Sequence, residues 1–424
     1  MRTPPLSLAF AVWGLGAALY LVGFFHRVAP AVITRELAAE FELTAAALGN
    51  LSAFYFYSYV ILQVPTGMLV DRYGPRRILT LGAVGAAAGA LLFAGAHSFA
   101  LVGAGRLLIG ASVGVAFVAM MKLSTHWFHP SRFALVAGLA LGTGMVGAAS
   151  AGAPLRWLAD VFGWRGVILA TAAATAALAA AIWLVVRDDP QERGYASYLP
   201  AAHHGEPAQS MTGGLARVLG SRNVLLVCVM NGGVSGLVLT FGGLWGVPFL
   251  ATHYGLSTAA AAALCSLLLL AWGVGGPLLG ALSDRLKERK RLYGLGAGVA
   301  TICWCVILLV PGLPLALLAA LLAAAGLASG VIMIGYAYAK ESAPAALAGT
   351  TGGVINTGNM LGAMLMQPAV GWVLDRAWDG GLEAGLRVYS FAAYRLGFAV
   401  LLALLLAAVF VTALTRETHC RQQQ

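Results

Sequence analysis

The sequence is poor in charge and in cysteine. Only 10% of its 424 residues are Asp, Glu, Lys or Arg, against about 25% in soluble domains, and 60% are hydrophobic. The mean hydropathy of +0.84 excludes a soluble domain. Its five cysteines form no CxxC pair, so neither a disulfide framework nor a metal site is expected. No GxxxxGK[ST] loop is present, which argues against ATP-driven transport, and we expect no cofactor and no enzymatic activity.

Long apolar runs fill most of the chain. Crossing the hydrocarbon takes about 20 apolar residues per helix, and charged and turn residues cut the sequence into twelve such segments. The long polar stretch 187–221 holds Pro190, Pro200, His203 and His204. We therefore predict an all-α membrane protein with an N-terminal six-helix bundle (1–186), a cytoplasmic linker (187–221) and a C-terminal six-helix bundle (222–424). The predicted spans are 8–34, 44–70, 78–96, 99–127, 132–160, 165–186, 222–252, 257–283, 292–311, 313–340, 346–374 and 388–415.

The net charge of +10 is explained by membrane topology. With both termini in the cytoplasm, most of the 26 Lys and Arg residues fall in cytoplasmic segments, as the positive-inside rule requires. Nucleic-acid binding is therefore not expected. The N-terminal apolar run has no small-residue cleavage site and is interpreted as the first span rather than a signal peptide. The Ala-, Leu- and Gly-rich composition favours a bacterial origin. We expect a monomer in the inner membrane, with the lipid bilayer as its partner.

Two sequence elements occur once in each half of the chain. Gly67–Arg77 follows the second span, and a similar element, Gly280–Arg291, follows the eighth span 213 residues later. Trp157–Asp160 ends the fifth span and Trp372–Asp375 ends the eleventh, at an offset of 215 residues. Two parallel six-helix repeats with a substrate site between them are a known transporter plan.

These elements resemble a known family. Gly67-Met-Leu-Val-Asp71-Arg72-Tyr-Gly74-Pro-Arg76-Arg77 resembles the cytoplasmic loop signature of the major facilitator superfamily, and Gly280–Arg291 resembles its second-half counterpart. Arg106-Leu-Leu-Ile-Gly110 is similar to the RxxxG element of the family. Gly67 would permit close helix contact, and Asp71 would cap the N-terminus of a neighbouring helix. The resemblance implies a twelve-helix carrier that works by alternating access. It assigns loop and gating roles to Gly67, Asp71, Arg72, Arg76, Arg106, Gly280, Asp284 and Arg285.

The first two spans point to a subgroup. His26-Arg27-Val-Ala-Pro-Ala-Val and the segment Leu51–Gly67 resemble the anion:cation symporter and sugar-phosphate permease group. The same segments are also similar to lysosomal dipeptide carriers of the superfamily. That permease group typically has an Asp-Arg pair where this chain has His26-Arg27. Proton coupling through the usual carboxylate is therefore in doubt.

Charged residues inside the predicted spans are few and positive. A charge at mid-membrane costs roughly 2.5–3.5 kcal/mol, so Arg27, Arg106, Lys122 and Arg395 are functional candidates. Every Asp and Glu falls in a loop or at the end of a span, which disfavours efflux of cationic drugs. The excess of positive charge favours an anionic substrate, because Arg offers a planar fork for carboxylate or phosphate. We predict Arg27 as the principal anion ligand. Lys122 is a second candidate, although it lies near the cytoplasmic end of its span and alternatively only snorkels.

A titratable residue and several polar ones complete the predicted site. His26 changes charge near neutral pH, and a proton on it beside Arg27 would strengthen anion binding. We predict that it couples anion import to H+ rather than Na+; an uncoupled carrier is the alternative. Buried Asn also serves hydrogen bonding between helices. The further substrate-binding candidates are Tyr55, Tyr59, Gln63, Asn231, Trp245, Tyr336, Asn356 and Asn359.

The sequence thus predicts a secondary active transporter that imports a small organic anion, one that carries a carboxylate. One alternative is a dipeptide or zwitterion carrier or uniporter, in which Arg27 holds the carboxylate end. A drug/H+ efflux antiporter and a metabolite receptor that does not transport are the others.

Overall fold

The computed structural model describes residues 2–129, 132–198, 211–344 and 347–422. Within these residues, ten helical stretches are long and apolar enough to cross a membrane, and a further apolar helix, Leu135–Ser150, is shorter. Residues 199–210 of the predicted linker, which include Pro200, His203 and His204, lie outside the described residues.

The helices follow the twelve predicted apolar segments along the chain. The first half contains α1 (Leu6–Val28), α2 (Thr34–Glu40), α3 (Ala45–Tyr73), α4 (Pro75–Gly95), α5 (Phe99–Val113), α6 (Val115–Trp127), α7 (Phe133–Ser150) and α8 (Ala153–Val185). Gly163, with φ 72° and ψ 151°, interrupts α8 and separates the fifth predicted span from the sixth.

The second half repeats this pattern of long helices. It contains α9 (Met211–Gly220), α10 (Arg222–Thr240), α11 (Gly246–Tyr254), α12 (Thr258–Leu286), α13 (Lys290–Leu309), α14 (Leu315–Ser329), α15 (Ile332–Glu341), α16 (Ala348–Arg376) and α17 (Phe391–Leu414). A short hairpin of β1 (Leu382–Glu383) and β2 (Leu386–Arg387) joins α16 to α17. Four predicted spans, the fourth, fifth, seventh and tenth, are built from two helical pieces each, and the seventh contains a π-helical turn, Phe241–Trp245, between α10 and α11. The twelve-helix prediction is confirmed.

The chain forms two compact units. The first contains Met1–Arg27, Tyr57–Ser150 and Leu158–Gln209, and the second contains Val28–Phe56, Ala151–Trp157 and Ser210–Gln424. Both α1 and α3 therefore divide between the two units, whereas the predicted bundles 1–186 and 222–424 are contiguous in sequence.

Small residues bring helices together inside each unit. In the first, a Cβ on Gly105 of α5 would lie 2.7 Å from the backbone nitrogen of Phe93 in α4. In the second, a Cβ on Gly236 of α10 would lie 2.9 Å from the Cα of Gly362 in α16. Membrane helices gain packing energy by such close approach, because lipid supplies no hydrophobic drive for their association.

The second unit also contains a capped helix start. Asp375, near the end of α16, accepts hydrogen bonds from the backbone nitrogens of Ala45 at 3.1 Å and Ala46 at 2.8 Å, at the start of α3. The hydroxyl of Tyr389 donates to the same carboxylate at 2.8 Å, and Arg387 lies 3.3 Å from it. A carboxylate at a helix N-terminus satisfies open N–H groups and the helix dipole together. Asp375 is the acid that closes the repeated Trp-x-x-Asp element, and this contact gives it a structural role.

Candidate functional site

The end of α1 is set by a proline. Pro30 has no backbone N–H, so the carbonyl of His26, four residues earlier, loses its helical donor. The chain leaves α1 at Val28 and continues as a 3₁₀ turn over Ala29–Ala31. Arg106 of α5, only 1% exposed, donates from Nη1 to the His26 carbonyl at 2.5 Å. A buried arginine thus satisfies the acceptor that the proline leaves.

Arg27 occupies the last turn of α1 and is 4% exposed. Its guanidinium carbon lies 4.2 Å from the ring centroid of Phe24 and 5.4 Å from that of Tyr59 in α3. Aromatic faces attract cations, and the attraction grows where water is excluded. Gly144 of α7 leaves room for this arrangement, because a Cβ there would come within 3.1 Å of the Phe24 ring. The structure therefore brings two predicted site residues, Arg27 and Tyr59, together.

His26 lies beside this group and is 1% exposed. Its ring meets Phe25 edge-on, with centroids 5.4 Å apart. Among the described residues, His26 Nε2 has no hydrogen-bond partner, although it is buried. Gln63 lies on the next turn of α3 after Tyr59 and is also buried. Its Oε1 atom likewise has no hydrogen-bond partner among the described residues. Buried polar atoms are rarely left without a partner, and such atoms point to a ligand or to water.

The second unit brings three predicted site residues into one hydrogen-bonded group. The hydroxyl of Tyr336 in α15 donates to Asn356 Oδ1 of α16 at 2.9 Å, and Asn359 Nδ2 donates to the Tyr336 oxygen at 2.8 Å. Asn359 is 3% exposed, and its buried Oδ1 has no hydrogen-bond partner within the described part of the chain. This Tyr-Asn-Asn group therefore presents an acceptor to a ligand donor.

Other predicted residues are engaged in helix packing. Asn231 Nδ2 donates to the carbonyl of Ile332 at 3.1 Å, and its Oδ1 accepts from the Tyr293 hydroxyl at 2.9 Å. Trp245 Nε1 donates to the carbonyl of Gln367 at 3.0 Å. Tyr55 is fully buried in the second unit, with its ring against Phe56. The polar groups of Asn231 and Trp245 thus already serve the second unit internally.

Lys122 is held by the signature loop. Its Nζ lies 2.8 Å from Asp71 Oδ1 and donates to the carbonyl of Val70 at 3.2 Å. Asp71 thus pairs with a lysine of α6. Among the described residues, a Cβ added to Gly67 or to Gly280 would meet no atom within 4 Å, so the close helix contact expected at Gly67 is not seen.

Two acids that sequence reasoning missed cap the helices that follow the signature loops. Asp188 accepts from the backbone nitrogen of Arg76 at 2.6 Å, at the start of α4. Glu417 accepts from the backbone nitrogens of Arg289 and Lys290, at the start of α13, at 2.8–3.1 Å. Arg76 and Arg289 are 213 residues apart, the offset of the repeated signature. The available signal was an acid three residues after the last helix of each half.

The pKa values of these two capping carboxylates are shifted in opposite directions. Burial raises the pKa of Asp188 above its usual value, against the opposing bond from the Arg76 backbone. Burial also raises the pKa of Glu417, but bonds from four backbone N–H groups outweigh it and leave that pKa lowered. The Arg76 guanidinium donates to the carbonyl of Trp183 and lies 4.2 Å from the centroid of its ring.

The second signature loop contains an ion-pair group centred on the buried Arg289. Arg289 Nη1 lies 2.7 Å from Asp284 Oδ1, and Nη2 lies 2.7 Å from Glu341 Oε1. Burial opposes the charge of Arg289, but the two carboxylates raise its pKa still further above the usual value. Arg285 of the same loop is exposed, and Arg72 of the first loop lies against the Tyr73 ring at 5.3 Å.

Within the described residues, no group of three or more His, Cys, Asp or Glu side chains is close enough to hold a metal ion. Among the His, Lys, Arg, Asp and Glu side chains that the structure describes, the buried ones are His26, Arg27, Arg106 and Arg289, and no Asp or Glu is among them. The buried side chains of permanent charge in the described part of the chain are therefore all arginines, and Arg289 among them is paired with carboxylates.

A polytopic helical bundle with a repeated loop signature and buried arginines is typical of a secondary transporter. Residues 6–367 match the family model of the Major Facilitator Superfamily, and the chain belongs to this superfamily. It is a multi-pass membrane transporter and not an enzyme.

Curated relatives support the same family. The chain is 24% identical over 414 residues to the probable galactarate/D-glucarate transporter GudP of Bacillus subtilis (strain 168), covering 88% of each protein. It is 27% identical over 398 residues to the probable nitrate/nitrite transporter NarK2 of Mycobacterium tuberculosis, covering 91% of this chain and 93% of that one. A shorter match, 32% identical over 154 residues, spans 36% of this chain and only 35% of the uncharacterized transporter YybO of Bacillus subtilis (strain 168).

A solved structure shares the fold. The inward-facing, unoccupied form of a bacterial homolog of the human lysosomal transporter Spinster superposes with a TM-score of 0.72 at 18% identity, covering 97% of this chain and 96% of that chain.

Proposed function

We propose that the protein imports a small organic anion bearing a carboxylate, together with protons, by alternating access of its two repeats. The observation that carries this proposal is the burial of Arg27 in the first membrane span, stacked on Phe24 and Tyr59. In this proposal both termini face the cytoplasm of a bacterial cell and the protein acts as a monomer in the inner membrane.

The sign of the substrate follows from the charge of the interior. A buried arginine is costly inside a membrane, by roughly 2.5–3.5 kcal/mol, and an anionic ligand offsets this cost. The stacked guanidinium of Arg27 is pre-oriented, and its planar fork fits a carboxylate bidentately. Two relatives matched along most of their length are named as transporters of anions, galactarate/D-glucarate and nitrate/nitrite.

Neutral polar groups of the second unit would add to substrate selection. Asn359 Oδ1 is a buried acceptor, so a substrate hydroxyl that donates to it would be favoured over a hydrogen at the same position. Because the Tyr-Asn-Asn group would favour a hydroxyl donor, we expect hydroxylated carboxylates among the substrates.

Proton coupling is assigned to His26. A proton on its buried ring would add positive charge close to Arg27 and Arg106, and a bound anion offsets that added charge. Proton and anion would therefore bind with positive cooperativity, which is reciprocal between the two ligands. This linkage is what a symporter requires.

The test is uptake into proteoliposomes with a matched panel of labelled solutes. We expect uptake of galactarate, a hydroxylated dicarboxylate, to be stimulated by an acidic exterior, and no uptake of galactitol, which lacks carboxylates. Uptake of a dipeptide but not of its N-acetyl form would instead support a zwitterion carrier. Saturable anion binding without flux would overturn the transport proposal in favour of a receptor.

A further inference from the structure

We propose that Arg106 is a positioning residue, which supplies the hydrogen bond that Pro30 cannot make and so fixes Arg27 for anion binding. The effect of Arg106 on transport rests on the function proposed above, whereas its hydrogen bond to the His26 carbonyl does not.

The first step is the missing donor at position 30. In a continued α-helix the N–H of residue 30 would bond to the carbonyl of residue 26. Pro30 has no N–H, and the chain changes to a 3₁₀ turn at this point. A bare carbonyl inside a membrane costs several kcal/mol, so the acceptor of His26 needs a donor from elsewhere.

The second step is the side-chain donor that takes the place of the missing N–H. Arg106 Nη1 lies 2.5 Å from the His26 oxygen, in a side chain that is 1% exposed. Its backbone is held rigidly, since the neighbouring Gly105 packs directly against the backbone of Phe93 in α4. The donor therefore comes from a helix whose own position is fixed by close packing.

The third step links this bond to the anion ligand. The carbonyl of His26 and the N–H of Arg27 belong to one planar peptide group. Fixing that oxygen fixes the plane that carries the Arg27 Cα, and with it the origin of the guanidinium stacked on Phe24. Arg106 thus acts on the substrate through the backbone, and the charged side chain that touches the anion is Arg27.

Rescue by a second substitution tests this role. We expect Arg106→Met to weaken galactarate binding about tenfold and to lower the thermal stability of the purified transporter, because the His26 carbonyl loses its donor. Pro30→Ala alone should have little effect. The double variant Arg106→Met/Pro30→Ala should regain most of the affinity and stability, because an alanine in place of the proline restores the helical N–H.

The outcomes separate the possible explanations. A role of Arg106 in charge or general packing would not be restored by an alanine at position 30, so absence of rescue in both affinity and stability overturns the proposal. If Arg106→Met does not fold, the readout is recovery of folded protein in the double variant. Absence of that recovery counts against the proposal. If Arg27→Met retains full affinity, the proposed function fails, while the stability arm of the cycle still decides the role of Arg106.

Discussion

Glu417 caps α13 through a carboxylate that four backbone N–H groups share. Oε1 accepts from Arg289 at 3.0 Å, Thr418 at 2.9 Å and His419 at 3.1 Å, and Oε2 accepts from Lys290 at 2.8 Å. Glu417→Gln keeps one oxygen but turns the other acceptor into an NH₂ donor that faces a backbone N–H. Bonds to charged groups contribute about 1.5–3 kcal/mol, and loss of a helix cap costs about 0.5–2 kcal/mol. Because the side chain is partly exposed, we expect a loss of about 1–2 kcal/mol.

The assay follows release of the C-terminal segment. Thr418 of this segment is 1% exposed, so alkylation of a cysteine placed there requires the segment to detach. In a chain whose five cysteines are replaced by alanine and which carries Thr418→Cys, Glu417→Gln should raise the alkylation rate about 5–30-fold, the factor that 1–2 kcal/mol gives. Glu288→Gln is the matched control, since its carboxylate makes only a 3.5 Å pair with Arg291. An alkylation rate equal to that of the parent would refute the capping argument.

The pH dependence of this contact has a definite sign. The pKa of Glu417 is lowered below its usual 4.5 in the folded protein, so its contribution to stability is complete above pH 4.5. As the pH falls through the lowered pKa, that contribution is lost. The difference in unfolding free energy between the parent and Glu417→Gln should therefore be constant near neutral pH and close on acidification.

Three further changes test other contacts. Asn359→Leu removes the buried Oδ1 acceptor and should weaken binding of galactarate about 5–10-fold, but not that of a dicarboxylate without hydroxyls; equal losses in calorimetric titrations would contradict this. Asp375→Asn removes the charge that caps α3 and should destabilise the protein by about 2 kcal/mol, with Asp379→Asn as an exposed control; an unchanged thermal midpoint in detergent would count against the cap. His26→Gln should leave anion exchange intact but abolish stimulation of uptake by a pH gradient, and retained stimulation would remove His26 from the coupling mechanism.

Much of the fold could be predicted because hydropathy is a local property of the sequence. The helix ends fall within a few residues of the predicted spans, and Gly163 breaks α8 where the fifth span gives way to the sixth. What hydropathy cannot show is how each span is divided internally. The π-helical turn at Phe241–Trp245, for example, leaves no signal in the hydropathy of its span.

The candidate site could be predicted only in part. Asn356 and Asn359 are three residues apart on one helix face, so their proximity follows from helical periodicity. Their bonds to Tyr336 join two helices and follow only from tertiary packing. The same holds for Lys122, which lies 51 residues from Asp71 in sequence and pairs with it in space.

Some contacts in the structure have a signal in the sequence that sequence reasoning did not use. Because Pro30 has no backbone N–H, the sequence indicates that the carbonyl of His26 needs another donor. It does not identify Arg106 as that donor. An acid three residues beyond the final helix of each half, Asp188 and Glu417, is a repeated feature of the chain. Acids repeated just beyond the ends of helices are thus as informative about the two-repeat fold as the repeated loop signatures.

The central claim, that Arg27 binds the anion that this transporter carries, is tested most directly by galactarate uptake in proteoliposomes containing Arg27→Met, Arg27→Lys or Arg395→Met. Arg395 is exposed on α17 and controls for loss of one positive charge. We expect Arg27→Met to lose at least about 100-fold in anion affinity, Arg27→Lys about tenfold because the charge remains without the fork, and Arg395→Met almost nothing. Full uptake by Arg27→Met, with parental affinity, would contradict the account.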